Sequence, residues 1–372
     1  MRPKDLKPKD MKPAAAGRGA TLQSVADAVG VHRSTVARAL DPEQSRRISA
    51  DVVEKVQAEA RRQGYRPDAV ASSLRTGRSR LVGVVVPDLA NPVFAPILGG
   101  IGATLAARGY SMMVADSGED EAGQADIVEK LIARRVDGLV LATAKRDDAT
   151  VSLCLKAGVP TVLVNRGEDG LRASTVVSDD TGGIAVAVAH LAGLGHRRIG
   201  HLAGPERLST GVLRRRGFES AMAAAGLPAD AVATASAYNR EAGRIAAAEL
   251  LDRWPDITAI AASNDLIALG AYQEAGRRGL RIPQDLSIVG HNDMPLVDMV
   301  APPLTTVRIG HEAMGARAAA ILLDQIAQPE TPPTLALVPA SLVARASTAV
   351  PRAGAEDAKA KAPRKPRSPR PA

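Results

Sequence analysis

The sequence predicts a small all-α helix-turn-helix headpiece followed by an α/β body of two doubly wound parallel-sheet lobes. Residues 21–40, TLQSVADAVGVHRSTVARAL, read as two short helices joined by a tight turn. From Leu81 onward, β-branched runs alternate with helical stretches, the pattern of parallel sheets with crossover helices. The two ends, residues 1–19 and 349–372, are rich in Pro, Ala, Lys and Arg without periodicity and are expected to be disordered.

In the headpiece, Leu22, Val25 and Val29 recur at spacings of three and four and so share one apolar face. Ala26 is small where a second helix must cross, and Gly30 can take the positive φ of a sharp helix exit. Val31, Val36 and Leu40 supply inward contacts, leaving His32, Arg33, Ser34 and Arg38 for the outer face. A third helix is expected from a cap at Ser49, with Asp51 in its first turn, to Gly64. Pro67 and Asp68 can start a short helix through Leu74, followed by a linker to residue 80. By itself this segment fits either a DNA-reading unit or an ordinary surface hairpin.

In the body, LVGVVVP (81–87) is a continuous apolar run, as a strand buried on both faces requires. Helix, strand and helix follow at 92–108, 111–116 and 121–134, then strand, helix and strand at 137–142, 147–157 and 160–165. The alternation repeats with helices at 182–194, 210–225, 240–253 and 264–278 and strands at 198–204, 231–237, 259–263 and 286–292. Two halves of similar length suggest two lobes with a cleft between them, where ligands bind beyond the carboxyl ends of strands. The expected boundaries are a tail over 1–19, headpiece 20–66, hinge and linker 67–80, body 81–348 and tail 349–372.

The 372 residues are 45% hydrophobic but only 2% aromatic, so the core must be aliphatic. A single cysteine, Cys154, excludes an internal disulfide and a multi-cysteine metal site. No apolar run approaches the roughly 20 residues of a membrane span, and the basic N-terminus lacks the apolar segment of a secretory signal. The net charge of +8 is uneven. Lys and Arg outnumber Asp and Glu six to two in 1–20, eleven to seven in 21–80 and seven to two in 351–372, so 81–350 is net acidic. Basic ends favour a polyanion, although a solubilising role explains the C-terminal tail equally well.

With these motifs in this order, the chain resembles the lactose/galactose repressor (LacI/GalR) family of bacterial transcription regulators over about residues 20–348. The resemblance rests on the headpiece stretch above, RRQGYRPDAVASSLRTGRS, LVGVVVPDLANPVFAPILGGI, HLAGLGHRRIGHLAG, RRRGF, ASNDLIALGAYQEAGRRGLRIPQDLSIVGHND, APPLTTV and SLVARAST. It implies a periplasmic-binding-protein-like body that binds a small molecule between its lobes. It also implies a recognition helix in the DNA major groove, a hinge helix in the minor groove, and a dimer on a pseudo-palindromic operator. On that basis the protein is expected in the bacterial cytoplasm with the nucleoid, as a repressor or, alternatively, an activator or global regulator. No cofactor, metal or membrane partner is expected.

Matched position by position, Arg33 and Ser34 are the expected base-edge readers, since an Arg fork can pair with guanine O6 and N7. Thr35 and Arg38 position the helix, and Gln23 and Ser24 are expected phosphate contacts. In the hinge, Leu74 matches an apolar wedge between base steps and Ala71 the small residue beside it. Asp41 and Asp68 stand where the family usually has Asn; a carboxylate at 41 must face away from phosphate or serve as a cap. Around the cleft the resemblance implies Asn91, Phe94, Asp116, Arg166, Asp179, Arg214, Tyr238, Asn264 and Asn292, with Arg215 and Arg216 leaving the register of Arg214 open by one. Asp265 is expected to cap its helix. GHND (290–293) departs from the family's aromatic–Asp pair. With Asn292 in place of a carboxylate and Arg214 kept, the pocket is expected to be positive and its ligand an anion or sugar acid.

An enzyme is the rival class. The chain has no GxGxxG after the first strand, no P-loop, no HExxH and no GxSxG. Its six His residues are scattered, and His190 and His196 are expected to cap or pack. The C-terminal tail lacks the leucine heptads of a tetramerising bundle, so a homodimer is expected.

Overall fold

The computed structural model describes residues 20–41, 44–65, 77–118 and 120–352, and the chain divides between Ser79 and Arg80 into two units. In the first, α1 (Leu22–Val29), α2 (Arg33–Ala39) and α3 (Ala50–Gln63) close on Val25, Ala26, Val36, Ala39, Val56 and Ala60. A capping box opens α1: Ser24 N donates to Thr21 Oγ1 at 3.1 Å and Thr21 N to Ser24 Oγ at 3.0 Å. Gly30 ends α1 in the left-handed region, at φ 72°, which is what turns the chain into the second helix. Ser49 occupies the N-cap position of α3, but its side chain makes no capping bond. Asp41 closes a turn instead of facing outward: its Oδ1 accepts from Gln44 N at 3.3 Å and its carbonyl from Ser45 N at 2.8 Å.

The body begins with β1 (Leu81–Val86), α4 (Phe94–Ala106), β2 (Ser111–Asp116), α5 (Glu121–Ala133) and β3 (Gly138–Leu141). It continues with α6 (Ala149–Lys156), β4 (Thr161–Val164), β5 (Ser174–Ser178) and α7 (Asp180–Gly193). Then come β6 (Ile199–Ala203), α8 (Ser209–Ala224), β7 (Val232–Thr234), α9 (Arg240–Arg253) and β8 (Ala259–Ala262). The last elements are α10 (Asp265–Arg277), β9 (Ser287–Asn292), β10 (Thr305–Ile309), α11 (His311–Ala327), β11 (Leu335–Val338) and β12 (Ala340–Val343).

Two six-stranded sheets result, ordered β11-β5-β4-β3-β1-β2 and β12-β10-β9-β8-β6-β7. All neighbours run parallel except β12, which is antiparallel to β10. The central strands are almost continuously buried, which explains their unbroken apolar runs, whereas the edge strands β2, β7, β11 and β12 are only partly covered. The lobes are not consecutive halves of the chain. After β10 the chain returns to the first lobe, where α11 packs with Ile97 and Ile101 of α4 in one core; β11 then extends the first sheet and β12 the second. Each sheet reverses its strand order beside its first strand, β1 or β6, which opens a crevice at the carboxyl ends of the strands.

Candidate functional site

Arg33 and Arg38 are exposed on α2, with Val36 and Ala39 buried on its opposite face, so the helix is held on one side and free on the other. Ser34 and Thr35 are partly buried, and the Ser34 hydroxyl lies 2.8 Å from His32 Nδ1, the ring that caps the helix. Gln23 is exposed, its amide donating to Asp27 at 2.7 Å. Ser24 departs from the expected outward contact. Its hydroxyl lies 2.6 Å from Gln63 Oε1 and 2.9 Å from the Thr21 carbonyl, so it ties α1 to α3. Ala71, Leu74 and Asp68 lie outside the described residues.

In the body one pocket gathers residues from both lobes. Asn91, Val93 and Phe94 follow β1, and Asn165 and Arg166 follow β4. From the second lobe come Thr210 and Arg214 on α8, Tyr238 after β7, Asn264 after β8 and Asn292 at the end of β9. They bound about 300 Å³ of space, part of it open to solvent. Seven of the nine side chains expected there are thus brought together. Phe94 does double duty, since it is also buried in the first lobe's core with Val84, Val86 and Ile97. Arg215, instead of lining the pocket, pairs with Glu206 and Glu219, which settles the register on Arg214.

Asp116 and Asp179 do not line it. Asp116 accepts from Leu89 N at 2.9 Å and Gly118 N at 3.0 Å, joining two loops, and Asp179 caps α7 by accepting from Gly182 N at 2.9 Å. Both carboxylates are committed to backbone amides, a demand that a residue-by-residue match does not reveal. The expected cap at Asp265 is also corrected: Asn264 Oδ1 caps α10 by accepting from Ile267 N at 2.8 Å. Asp265 is wholly buried, accepts from Thr306 Oγ1 at 2.6 Å and Met294 N at 2.8 Å, and burial pushes its carboxyl up to about 7.

Val93, Asn165 and Thr210 went unforeseen. Thr210 was findable, because it sits four residues before Arg214 and so on the same helix face. Asn165 and Asn292 both have positive φ, 68° and 118°, a conformation uncommon away from glycine that aims their side chains at the pocket. The Tyr238 hydroxyl lies against Gly204, where a Cβ would collide with it. Arg166 lies over the Tyr238 ring at 5.9 Å, linking the lobes, and the Ser209 hydroxyl accepts from Gly167 N at 3.0 Å across the same seam.

The electrostatics differ from expectation at Arg214. Its Nε donates to Asp180 Oδ1 at 2.8 Å, Nη2 reaches Asn292 Oδ1 at 3.4 Å and Nη1 donates to the Ser263 carbonyl. Asp180, in the first turn of α7, is as buried as its partner. Burial is the largest single effect on the Arg214 guanidinium and works against its charge, but the charge and hydrogen bond of Asp180, together with Tyr238 and Asp265, outweigh it and leave the pKa raised. The loss of a carboxylate at 292 is therefore offset by one at 180, and this part of the pocket is not the bare cation that the sequence suggested.

A helix-turn-helix unit joined to a two-sheet body with a polar pocket between its lobes defines a class: regulators with periplasmic-binding-like bodies. Residues 188–348 match the family model of the periplasmic binding protein-like domain. The HTH-type transcriptional regulator CelR of Thermobifida fusca is 33% identical over 89% of this chain and 98% of its own. A structure of a transcriptional regulator CelR–cellobiose complex matches at TM-score 0.69 and 32% identity, covering 88% of this chain and 99% of that one. The lac repressor dimer bound to operator and the anti-inducer ONPF matches at TM-score 0.77 and 29% identity, over 89% of this chain and all of that one. The chain belongs to the LacI/GalR family of HTH-type transcriptional regulators; it is a DNA-binding regulator and not an enzyme. Transcriptional regulators of this kind work in the cytoplasm, and no helix among the described residues is long and apolar enough to cross a membrane.

Proposed function

We propose that the protein is a dimeric, nucleoid-associated repressor whose affinity for a pseudo-palindromic operator is set by a small molecule held between the lobes of its body. Arg33 and Ser34 read base edges, and Thr35, Arg38 and Gln23 orient the helix on the duplex. Asn91, Asn165, Arg166, Thr210, Arg214, Tyr238, Asn264 and Asn292 hold the ligand, with Phe94 forming an apolar wall. One observation carries the effector half: Thr210 Oγ1 and Tyr238 Oη are buried pocket hydroxyls that face each other, yet neither makes a hydrogen bond of ordinary length among the described residues. Buried polar groups are almost always satisfied, so two such hydroxyls in one interlobe pocket call for a ligand that completes them. The relatives support this, since CelR was solved with cellobiose and the lac repressor dimer with operator and a small molecule.

The test uses the full-length protein. Selection from a random duplex pool is expected to return a two-fold-related sequence, and a thermal-shift screen of sugars, sugar acids and nucleosides should return a stabiliser that also changes affinity for that sequence. A stabiliser that leaves operator affinity unchanged overturns the coupling. One that still binds the Thr210→Val, Tyr238→Phe double variant unchanged overturns the site.

A further inference from the structure

We propose that Asp180 is the charge selector of the pocket: by cancelling Arg214 it makes the site favour an uncharged polyhydroxy ligand over the corresponding carboxylic acid. The inference rests on the cleft being the effector site and adds the ligand's charge class to that reading. Asp180 does not line the pocket and touches no ligand; it acts through Arg214, as a positioning residue.

The geometry is specific to this carboxylate. The Arg214 guanidinium is almost entirely withdrawn from solvent, and Nε and Nη2 both lie 2.8 Å from the same Asp180 oxygen. The remaining fork is spent on the Ser263 carbonyl and on Asn292. A ligand reaching Arg214 therefore meets an ion pair braced from α7, α8, the β8–α10 turn and β9. A ligand carboxylate placed there would gain the attraction of the guanidinium and suffer the repulsion of Asp180 at nearly the same range, in a site too dry to screen either. Neither histidine beside the pair adds a positive charge. His291, fully buried with Nε2 4.0 Å from the same oxygen, is kept neutral by burial, with the Arg214 charge adding to that effect. His311 is likewise held down, to about 4. Burial raises the Asp180 carboxyl, with Asp179 adding to that, while the charge and hydrogen bond of Arg214 pull it back down and hold the ion pair together; the nearer uncharged lining groups are Asn165, Asn264, Asn292, Thr210 and Tyr238. Carboxamides and hydroxyls both donate and accept, which suits hydroxyls of a ligand. Arg166, the other lining guanidinium, faces the Tyr238 ring.

The experiment compares matched pairs on the full-length protein by titration calorimetry and thermal shift: glucose with glucuronate, galactose with galacturonate, cellobiose with cellobionate. Wild type is expected to bind the neutral member of its preferred pair at least about tenfold more tightly than the acid. Asp180→Asn uncovers the Arg214 charge and is expected to shift that ratio about tenfold or more toward the acid. The double variant Asp180→Asn, Arg214→Gln carries neither charge and should return toward the neutral preference. Each ratio is read within one variant, so a general loss of stability does not mimic the result. If Asp180→Asn does not fold, Asp180→Glu is the second variant: it keeps the charge and should keep the wild-type ratio, whereas a preference reversed toward the acid would overturn the proposal. Wild type that prefers the acid, or Asp180→Asn that binds with an unchanged ratio, overturns it too. If no pair binds wild type while another chemical class does, and the Thr210→Val, Tyr238→Phe variant abolishes that binding, the cleft reading stands and the polyhydroxy proposal fails. Loss of the cleft reading itself shows as binding that this double variant leaves intact.

Discussion

Helix α2 and the interlobe pocket both carry arginines, but they hold them in opposite ways. Arg33 and Arg38 stand on a helix whose other face is the headpiece core, exposed and ready for a phosphate or a base edge. Arg214 is buried, with its fork tied to Asp180, Ser263 and Asn292 before any ligand arrives. A surface arginine can be removed with little effect on folding, whereas a buried one is part of the structure that presents it. Mutations in the two regions should therefore separate function from stability in one case and not in the other.

The largest expected effect is at Arg214. Arg214→Ala leaves the Asp180 carboxylate buried without its partner, a change that costs about 3–5 kcal/mol in comparable sites. Urea denaturation of the body transition should show that loss together with loss of any effector response. A variant that folds with wild-type stability would mean that Asp180 is not charged there.

Next is acidification. Burial holds His201, stacked on Phe218 at 4.7 Å, down to about 4, so it is neutral when folded and charged when unfolded below about pH 6.5. The stability it contributes is present above the unfolded pKa and is lost as pH falls from 6.5 toward 4, amounting to about 3 kcal/mol at the lower limit. His311, also held down to about 4, adds in the same sense. Asp265, held up at about 7, titrates in the opposite sense and returns part of the loss. The difference between wild type and His201→Asn isolates the histidine: the variant's melting temperature should fall less between pH 6.5 and 4. Equal slopes would remove His201 from the account.

These contrasts also show what was legible in the sequence. Helical periodicity and caps are local, so the headpiece with its turn at Gly30 could be read residue by residue. The strand runs placed most of the pocket, because ligands gather at strand carboxyl ends in this architecture. What stayed hidden depends on contacts between distant segments. Asp180 and Arg214 are 34 residues apart and meet only when α7 packs on α8. Asn264 and Asp265 are adjacent and chemically similar; which one caps α10 is decided by Thr306 on a strand about forty residues later. The return of α11 to the first lobe is a property of topology; β5, β10, β11, β12 and α11 have no counterpart among the elements that pattern predicts, and length is not the reason, since β3, β4 and β8 are shorter than β5.

On the headpiece side, Arg33→Ala should cost about 1–3 kcal/mol of discrimination at one base pair of each half-site. Its unfolding midpoint should stay within about 0.5 kcal/mol of wild type, as for other surface substitutions. Binding measured against a set of single-base operator variants checks both halves of that statement. Uniform weakening across all variants would make Arg33 a phosphate contact and leave the base-reading role to Ser34 or Arg38.

The smallest effect sharpens the comparison most, because it asks whether a residue on the DNA-facing unit behaves like Arg33 or like Arg214. Ser24 resembles a phosphate contact by position, yet its hydroxyl is shared between the Thr21 cap and Gln63 of α3. If it is a structural link, Ser24→Ala loses half a capping box and should destabilise the headpiece by about 1 kcal/mol. Operator affinity would then fall only in proportion to the unfolded fraction, and the slope of log K against log salt would be unchanged. If Ser24 instead meets the backbone, stability should hold and affinity should drop with the headpiece fully folded. Such a neutral hydroxyl contact would still leave the salt slope alone, because only a cation releases a counterion, about 0.9 per phosphate neutralised. The salt slope therefore serves as the control, and the headpiece melting curve decides between the two. The structure favours the first outcome, since a hydroxyl between two internal partners in α1 and α3 is held as Arg214 is held, by the fold that it completes.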